Sequence, residues 1–266
     1  MKELTPIQKI ERSIHKKFRR EIWRKFVASV QQYELIETGD KIAVCISGGK
    51  DSMLMAKLMQ QMHRHSNVPF ELEFLVMNPG YNEINFQKVV ANATSLEIPI
   101  QVFNSNIFDV VTKTDRSPCY LCARMRRGFL YSTAKQLGCN KIALGHHLSD
   151  VVETTLMSML FGAQYQIMRP KLSSQNFAGM QLIRPMFCVE ETAIHAWKRY
   201  NGLSFIQCAC PLAENCNVFD ASGGNSSRQT VKAMLAQLKK DHKDVEKSVF
   251  ESIKKTLAAE TPPKED

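Results

Sequence analysis

The segment KIAVCISGGKDSMLMAKLMQQMHRH, residues 41–65, limits the choice of fold more than any other part of the chain. KIAVCI is a short, nearly unbroken apolar run, the pattern of a strand buried on both faces. Ser47, Gly48 and Gly49 interrupt it, and a helical stretch follows. A strand that opens through glycines into a helix belongs to a parallel sheet, and ligands of such sheets gather beyond the carboxyl ends of the strands. Two glycines let the backbone approach an anion closely, the helix start aims free N–H groups at it, and Lys50 supplies an opposing charge. The G-x-x-x-x-G-K-[ST] and G-x-G-x-x-G patterns are both absent, so residues 47–52 predict a phosphate loop of another kind. The plain alternative is a tight strand-to-helix turn.

The rest of the chain repeats the alternation. Strands are expected at 41–46, 71–78, 99–104 and 141–147, with a further one over 180–186, and helices between them. Ile7, Ile10, Ile14, Phe18, Ile22, Phe26 and Val30 predict one long helix over 6–36. The expected fold is α/β, a Rossmann-like parallel sheet with a phosphate-binding loop, an N-terminal basic helix and C-terminal helices. It divides into the helix (1–38), the nucleotide-binding domain (39–205), and a cysteine-bearing loop with the closing helices (206–266).

The formal net charge of +9 favours a polyanionic partner such as nucleic acid. The N-terminal helix can dock its apolar residues and turn Lys9, Arg12, Lys16, Arg19 and Arg20 outward, and Arg124, Arg126 and Arg127 form a second basic group. Arg169, Lys171, Arg184 and Arg228 are weaker candidates. No apolar stretch approaches the roughly 20 residues that span a bilayer, and no secretory signal is evident, so no membrane partner and a cytoplasmic location are expected.

Eight cysteines remain to be explained. Cys45, Cys139 and Cys188 stand alone and read as small core residues. Cys119 and Cys122 form a C-x-x-C pair, and CACPLAENC supplies Cys208, Cys210 and Cys216. Two separated groups point to a metal centre rather than a local disulfide. Four thiolates suit structural zinc, whereas three on a [4Fe–4S] cluster leave one iron open; the residues themselves leave both readings standing. LGHH, 144–147, ends a strand at the ligand-binding edge, so Gly145, His146, His147 and Asp150 are candidates for Mg²⁺–nucleotide contact.

SGGKDS resembles the PP-loop of the ATP-pyrophosphatase superfamily, whose members split ATP between its α and β phosphates and leave AMP on a carbonyl oxygen of the substrate. The resemblance implies that Ser47, Gly48, Gly49, Lys50, Asp51 and Ser52 hold the pyrophosphate portion of ATP, and that Asp51 and Asp150 place Mg²⁺. With CYLCARMRRGFLYSTAKQLG, KIALGHHLSDVVETTLMSMLFG and IRPM in the same order, residues 10–240 are similar to the tRNA 2-thiocytidine synthetase (TtcA) family. That likeness implies ATP-dependent exchange of the C2 oxygen of an anticodon-loop cytidine, position 32 in tRNA numbering, for sulfur. It further implies a [4Fe–4S] cluster on Cys119, Cys122 and Cys210, with Cys208 as the alternative third ligand. The partners it implies are tRNA, gripped by Lys16, Arg19, Arg20, Arg124, Arg126 and Arg127, and a sulfur donor such as a cysteine desulfurase; a homodimer is left open. The target base must leave its stack, and Tyr120 is an aromatic placed to support it. The family's HHRDD reads HHLSD here, and the CACPLAENC segment also differs. The competing readings are thiolation of another tRNA pyrimidine with zinc and a persulfide, or a non-catalytic, metal-stabilised protein that binds ATP and RNA.

Overall fold

The structure is a computed structural model that describes residues 3–113, 118–206 and 227–260, without the side chains of Pro118 and Cys119. Its centre is a six-stranded sheet of order β3-β2-β1-β4-β6-β5. The strands are β1 Lys41–Ile46, β2 Glu71–Asn78, β3 Ile100–Asn104, β4 Lys141–Ala143, β5 Lys171–Ser173 and β6 Gln181–Ile183. All neighbours pair in parallel except β5, which runs antiparallel to β6. Val44 sits opposite Phe74 on one side and Ala143 on the other, so β1 is central. Ile42, Val44 and Ile46 enter the core cluster on one face, while Ala43 and Cys45 enter the cluster on the other. That two-sided burial is the reason KIAVCI is apolar throughout.

The helices are α1 Pro6–His15, α2 Arg24–Gln32, α3 Lys50–His65, α4 Glu83–Ser95, α5 Ile107–Val111, α6 Pro118–Gln136, α7 Leu148–Gly162, α8 Glu191–Tyr200, α9 Ser227–Asp241 and α10 Val245–Glu260. Side chains from α1, α2, α3, α4 and α8 build the core on one sheet face. Tyr131 and Ala134 of α6 pack on the other, and α7, α9 and α10 share a third cluster centred on Val151, Phe187 and Phe250.

The long N-terminal helix expected over 6–36 is broken. A capping box starts α1: Thr5 Oγ1 accepts the Gln8 N–H and Gln8 Oε1 accepts the Thr5 N–H, with Pro6 in the first turn. Between α1 and α2, residues Arg19–Trp23 form a π-turn, with Phe18 O accepting the Trp23 N–H. The spacing of buried residues explains it. Ile10, Ile14, Phe18, Ile22, Phe26 and Val30 are each four residues apart and all are buried. Four α-helical residues turn through about 400°, so such a series creeps by about 40° per step and would leave the core within a few turns. One wide turn takes the creep back and keeps every member of the series inward.

Two strands are shorter than their sequences predict. β4 stops at Ala143 because the chain then crosses over the start of α3. β6 stops at Ile183: Arg184 N–H still bonds Pro170 O across to the β5 side, but Pro185 has no N–H to carry the ladder further.

Candidate active site

β1, which continues into α3, and β4, which continues into α7, are neighbours at the point where the strand order reverses, which is where parallel sheets open a ligand crevice. From β1, Gly48 adopts φ +85°, and a Cβ there would lie 2.4 Å from Val89 and 2.8 Å from Ile206, so only glycine fits. Gly49 caps α3 with no side-chain hydrogen bond, which leaves the first-turn N–H groups open to an anion. The loop is braced from behind: Ser52 Oγ donates to Gly49 O and accepts the Ser47 N–H, both at 3.1 Å, and the Tyr81 hydroxyl donates to Ser47 O at 3.3 Å. From β4, Gly145 passes so close that a Cβ would sit 3.0 Å from Ser52 N, so this glycine lets two chain segments meet.

Ionisable side chains link around the mouth in a closed circuit. Lys50 Nζ bonds Asp51 Oδ2 at 3.1 Å and Glu191 Oε1 at 3.0 Å. Lys232 lies 3.7 Å from Glu191 and 3.6 Å from Glu153. Arg228 lies 3.5 Å from Glu153 and bonds Asp150 Oδ1 at 3.0 Å. Asp150 accepts the His147 N–H, and His147 Nε2 stands 3.4 Å from Asp150 and 3.6 Å from Asp51. Burial works against these charges and their partners reverse it. For Asp150, burial raises the pKa, but His147, His146 and Arg228 together hold it below the usual carboxylate value. For Glu191 burial is again outweighed, by the hydrogen bond and charge of Lys50, and the pKa falls to about 2. Lys50 is raised, because Asp51 and Glu191 overcome its desolvation. Burial lowers His146 to about 4, assisted by the charge of Arg184, so its ring is neutral at pH 7. Burial raises Glu153 despite Lys232 and Arg228.

The circuit borders a cavity of about 480 Å³, a volume suited to a small ligand. Ser47, Asp51, Gly145, His146 and Asp150 line one side, and Ala123, Arg126 and Arg127 of α6 line the other. Cys122 is half-buried on α6, packed against the cluster of Met77, Ile107 and Phe108, and Met77 also lines the cavity. The helix that carries the cysteine pair is therefore a wall of the same cavity as the glycine loop. Cys208, Cys210 and the Cys119 side chain lie outside the described residues. Among the described residues no three His, Cys, Asp or Glu side chains gather as a metal group.

Mg²⁺ can be tested against the carboxylates. Asp51 Oδ1 is buried without a hydrogen-bond partner among the described residues, while Oδ2 is taken by Lys50. A free, buried carboxylate oxygen facing the phosphate loop, with Asp150 opposite, fits a cation that takes one or two carboxylates and completes its shell from phosphates and water. For the cluster, Cys122 is the one described cysteine on the cavity-wall helix, and a cysteine sulfur is the donor that iron–sulfur chemistry uses. Of the basic residues, Arg126, Arg127 and Arg228 reach the cavity; Lys16, Arg19, Arg20 and Arg124 are exposed and line none of it. Tyr120 is 70% exposed. The Cys45 thiol, pushed up to about 12 by burial, stays protonated as a core group. Tyr81, Glu153, Glu191 and Lys232 escape a sequence reading; Glu153 alone carries a local signal, one helical turn beyond Asp150.

A central parallel sheet whose first strand opens through SGGKDS into a capless helix defines a PP-loop nucleotide-binding protein. The family model described as a PP-loop domain matches residues 15–211. Among curated relatives, the tRNA-cytidine(32) 2-sulfurtransferase of Geobacter metallireducens is 32% identical over 228 residues, 85% of each chain. That of Syntrophotalea carbinolica is 35% identical over 216 residues, 80% of each chain. The chain belongs to the tRNA-cytidine(32) 2-sulfurtransferase (TtcA) family. The fold agrees with the solved U34-tRNA thiolase NcsA from Methanococcus maripaludis with its [4Fe-4S] cluster, at TM-score 0.68 and 19% identity, covering 88% of this chain and 78% of that one.

Proposed function

We propose that the protein is an ATP-dependent tRNA sulfurtransferase that converts cytidine 32 of the anticodon loop to 2-thiocytidine. The observation that carries this reading is the single cavity shared by the glycine loop and the helix of the cysteine pair. A pyrimidine oxygen is a poor leaving group and adenylate a good one, so activation and sulfur delivery must meet at one carbon. The cytidine C2 oxygen attacks the α phosphorus of ATP, the Pα–O bond to the β phosphate breaks, and pyrophosphate leaves. The first-turn N–H groups of α3 and Lys50 stabilise the charge gathering on that pyrophosphate. Asp51 and Asp150 would hold Mg²⁺, which neutralises phosphate charge when bound. Arg126 and Arg127 orient the anionic intermediate and the RNA backbone at the cavity mouth. Cys119, Cys122 and Cys210, or Cys208 in its place, would hold a cluster that would supply sulfur at the sulfide level when bound. Sulfur bonds to C2, the C2–O bond breaks, and AMP departs with the original oxygen while the hydrosulfide proton goes to solvent. Lys16, Arg19, Arg20 and Arg124 bind tRNA phosphates outside the cavity. A cytoplasmic setting, a cysteine desulfurase as sulfur source and a homodimer belong to the same reading.

The test is an oxygen-free incubation of the purified protein with Mg²⁺, ATP, sulfide and unmodified tRNA, followed by mass spectrometry of nucleosides. One AMP and one pyrophosphate per 2-thiocytidine is the expected result. ATP turnover with sulfur on another pyrimidine would overturn the substrate; a colourless, zinc-loaded protein active with a persulfide would overturn the cluster.

A further inference from the structure

Arg228 stands apart from the other cavity-lining residues. It belongs to α9, far along the chain from β1 and β4, yet its guanidinium lines the cavity and bonds Asp150 Oδ1 at 3.0 Å. It also bonds Thr154 Oγ1 at 3.3 Å and stands 3.5 Å from the buried Glu153 Oε2, which has no hydrogen-bond partner among the described residues. Its neighbours are thus a carboxylate suited to Mg²⁺ and a second carboxylate within reach. The carboxylates argue against RNA as its ligand, since an incoming phosphodiester would meet Asp150 and Glu153 bare. A nucleotide loaded with Mg²⁺ differs: its metal occupies Asp150 while its phosphate oxygens take the released guanidinium. Lys232, one turn further along α9, lies between Glu153 and Glu191 and is not among the described residues that line the cavity.

We propose that Arg228 is a phosphate-binding residue of the nucleotide site, resting on Asp150 in the free protein and passing to the ATP phosphates when Asp150 turns to the metal. This rests on the reading of residues 47–52 as an ATP phosphate loop. The planar fork of arginine suits the exchange, because it meets carboxylate and phosphate oxygens with the same paired geometry. The exchange ties α9 to nucleotide occupancy, since the helix loses its bond to Asp150 of α7 and gains one to the ligand.

Binding of Mg²⁺–ATP, adenosine and tRNA to the full-length wild type, Arg228→Gln and Arg228→Lys decides the matter. Arg228 is 44% exposed at its side chain, so both variants fold, which a thermal melt checks. Arg228→Gln weakens Mg²⁺–ATP by about tenfold or more, as the loss of a charged hydrogen bond does, and Arg228→Lys recovers part of it. Adenosine and tRNA affinities stay at the wild-type level. Unchanged Mg²⁺–ATP affinity in Arg228→Gln overturns the assignment, as does equal weakening of adenosine. A loss confined to tRNA places Arg228 on the RNA surface instead. A wild type that binds no Mg²⁺–ATP refutes the phosphate-loop reading itself, a result distinct from all of these.

Discussion

The two ends of the central sheet both hold buried charge, and they use it differently. At the amino end, Lys141 Nζ donates to Leu35 O, Glu37 Oε2 and Asp40 Oδ2, while Asp40 also accepts from Glu37 N–H and Asn140 Nδ2. Each of its partners is committed, and Lys141 and Asp40 are almost wholly buried. At the carboxyl end, Asp51 Oδ1, His146 Nδ1, His147 Nδ1 and Glu153 Oε2 are buried without hydrogen-bond partners among the described residues. Leaving such groups unmet costs stability. The amino end is a staple, closing β1, β4 and the segment before β1 together. The carboxyl end withholds its bonds for a ligand.

The contrast breaks or sharpens under substitution. Lys141→Met strands the buried Asp40 charge and lowers stability by about 3–5 kcal/mol, seen as a melting temperature about 10 °C lower. Activity of the fraction that remains folded at low temperature is unaffected. Asp51→Asn does the reverse: AMP formation falls by about 10²–10³-fold while the melting temperature holds or rises. A melting loss in Asp51→Asn equal to that of Lys141→Met would abolish the distinction between the two ends.

Acid provides a third, smaller probe. His146 faces Arg184, Asp150, His147 and Arg228, and its pKa of about 4 lies below the ordinary 6.5. Between these values the unfolded chain binds more protons than the folded one. Stability from this group is therefore full above about 6.5 and is lost as pH falls toward about 4. His146→Gln flattens that part of the pH–stability curve, and a curve unchanged by the substitution would remove the histidine from the account. Last, Arg20→Gln weakens tRNA binding only a few-fold and lowers the slope of log affinity against log salt by about one, leaving Mg²⁺–ATP affinity unchanged.

The amino acids announce the carboxyl end more clearly than the amino end. KIAVCISGGKDS shows its strand, its loop and its helix because three local rules coincide there: burial on both faces, glycine freedom and an open helix start. Glu191 shows nothing, since it meets Lys50 across 141 positions of sequence and looks like any helix-surface acid. The edge strand Lys171–Ser173 has three residues, too few for alternation to register, and α5 has five. The Lys141–Asp40 pair spans 101 positions and is invisible for the same reason. The broken N-terminal helix was legible in principle: the strict four-residue spacing is incompatible with a straight α-helix, and only the angular drift, not the list of apolar positions, reveals it.

That π-turn also says something about length. A helix that lost one surface residue from 19–23 would step by four, four, three, four and four between the same inward side chains, a series an ordinary α-helix holds on one face. The N-terminal segment therefore carries one residue more than its buried side requires. The surplus falls among the exposed Arg19, Arg20 and Glu21, so a chain trimmed there would keep its packing and change only the charged side chains it displays to solvent.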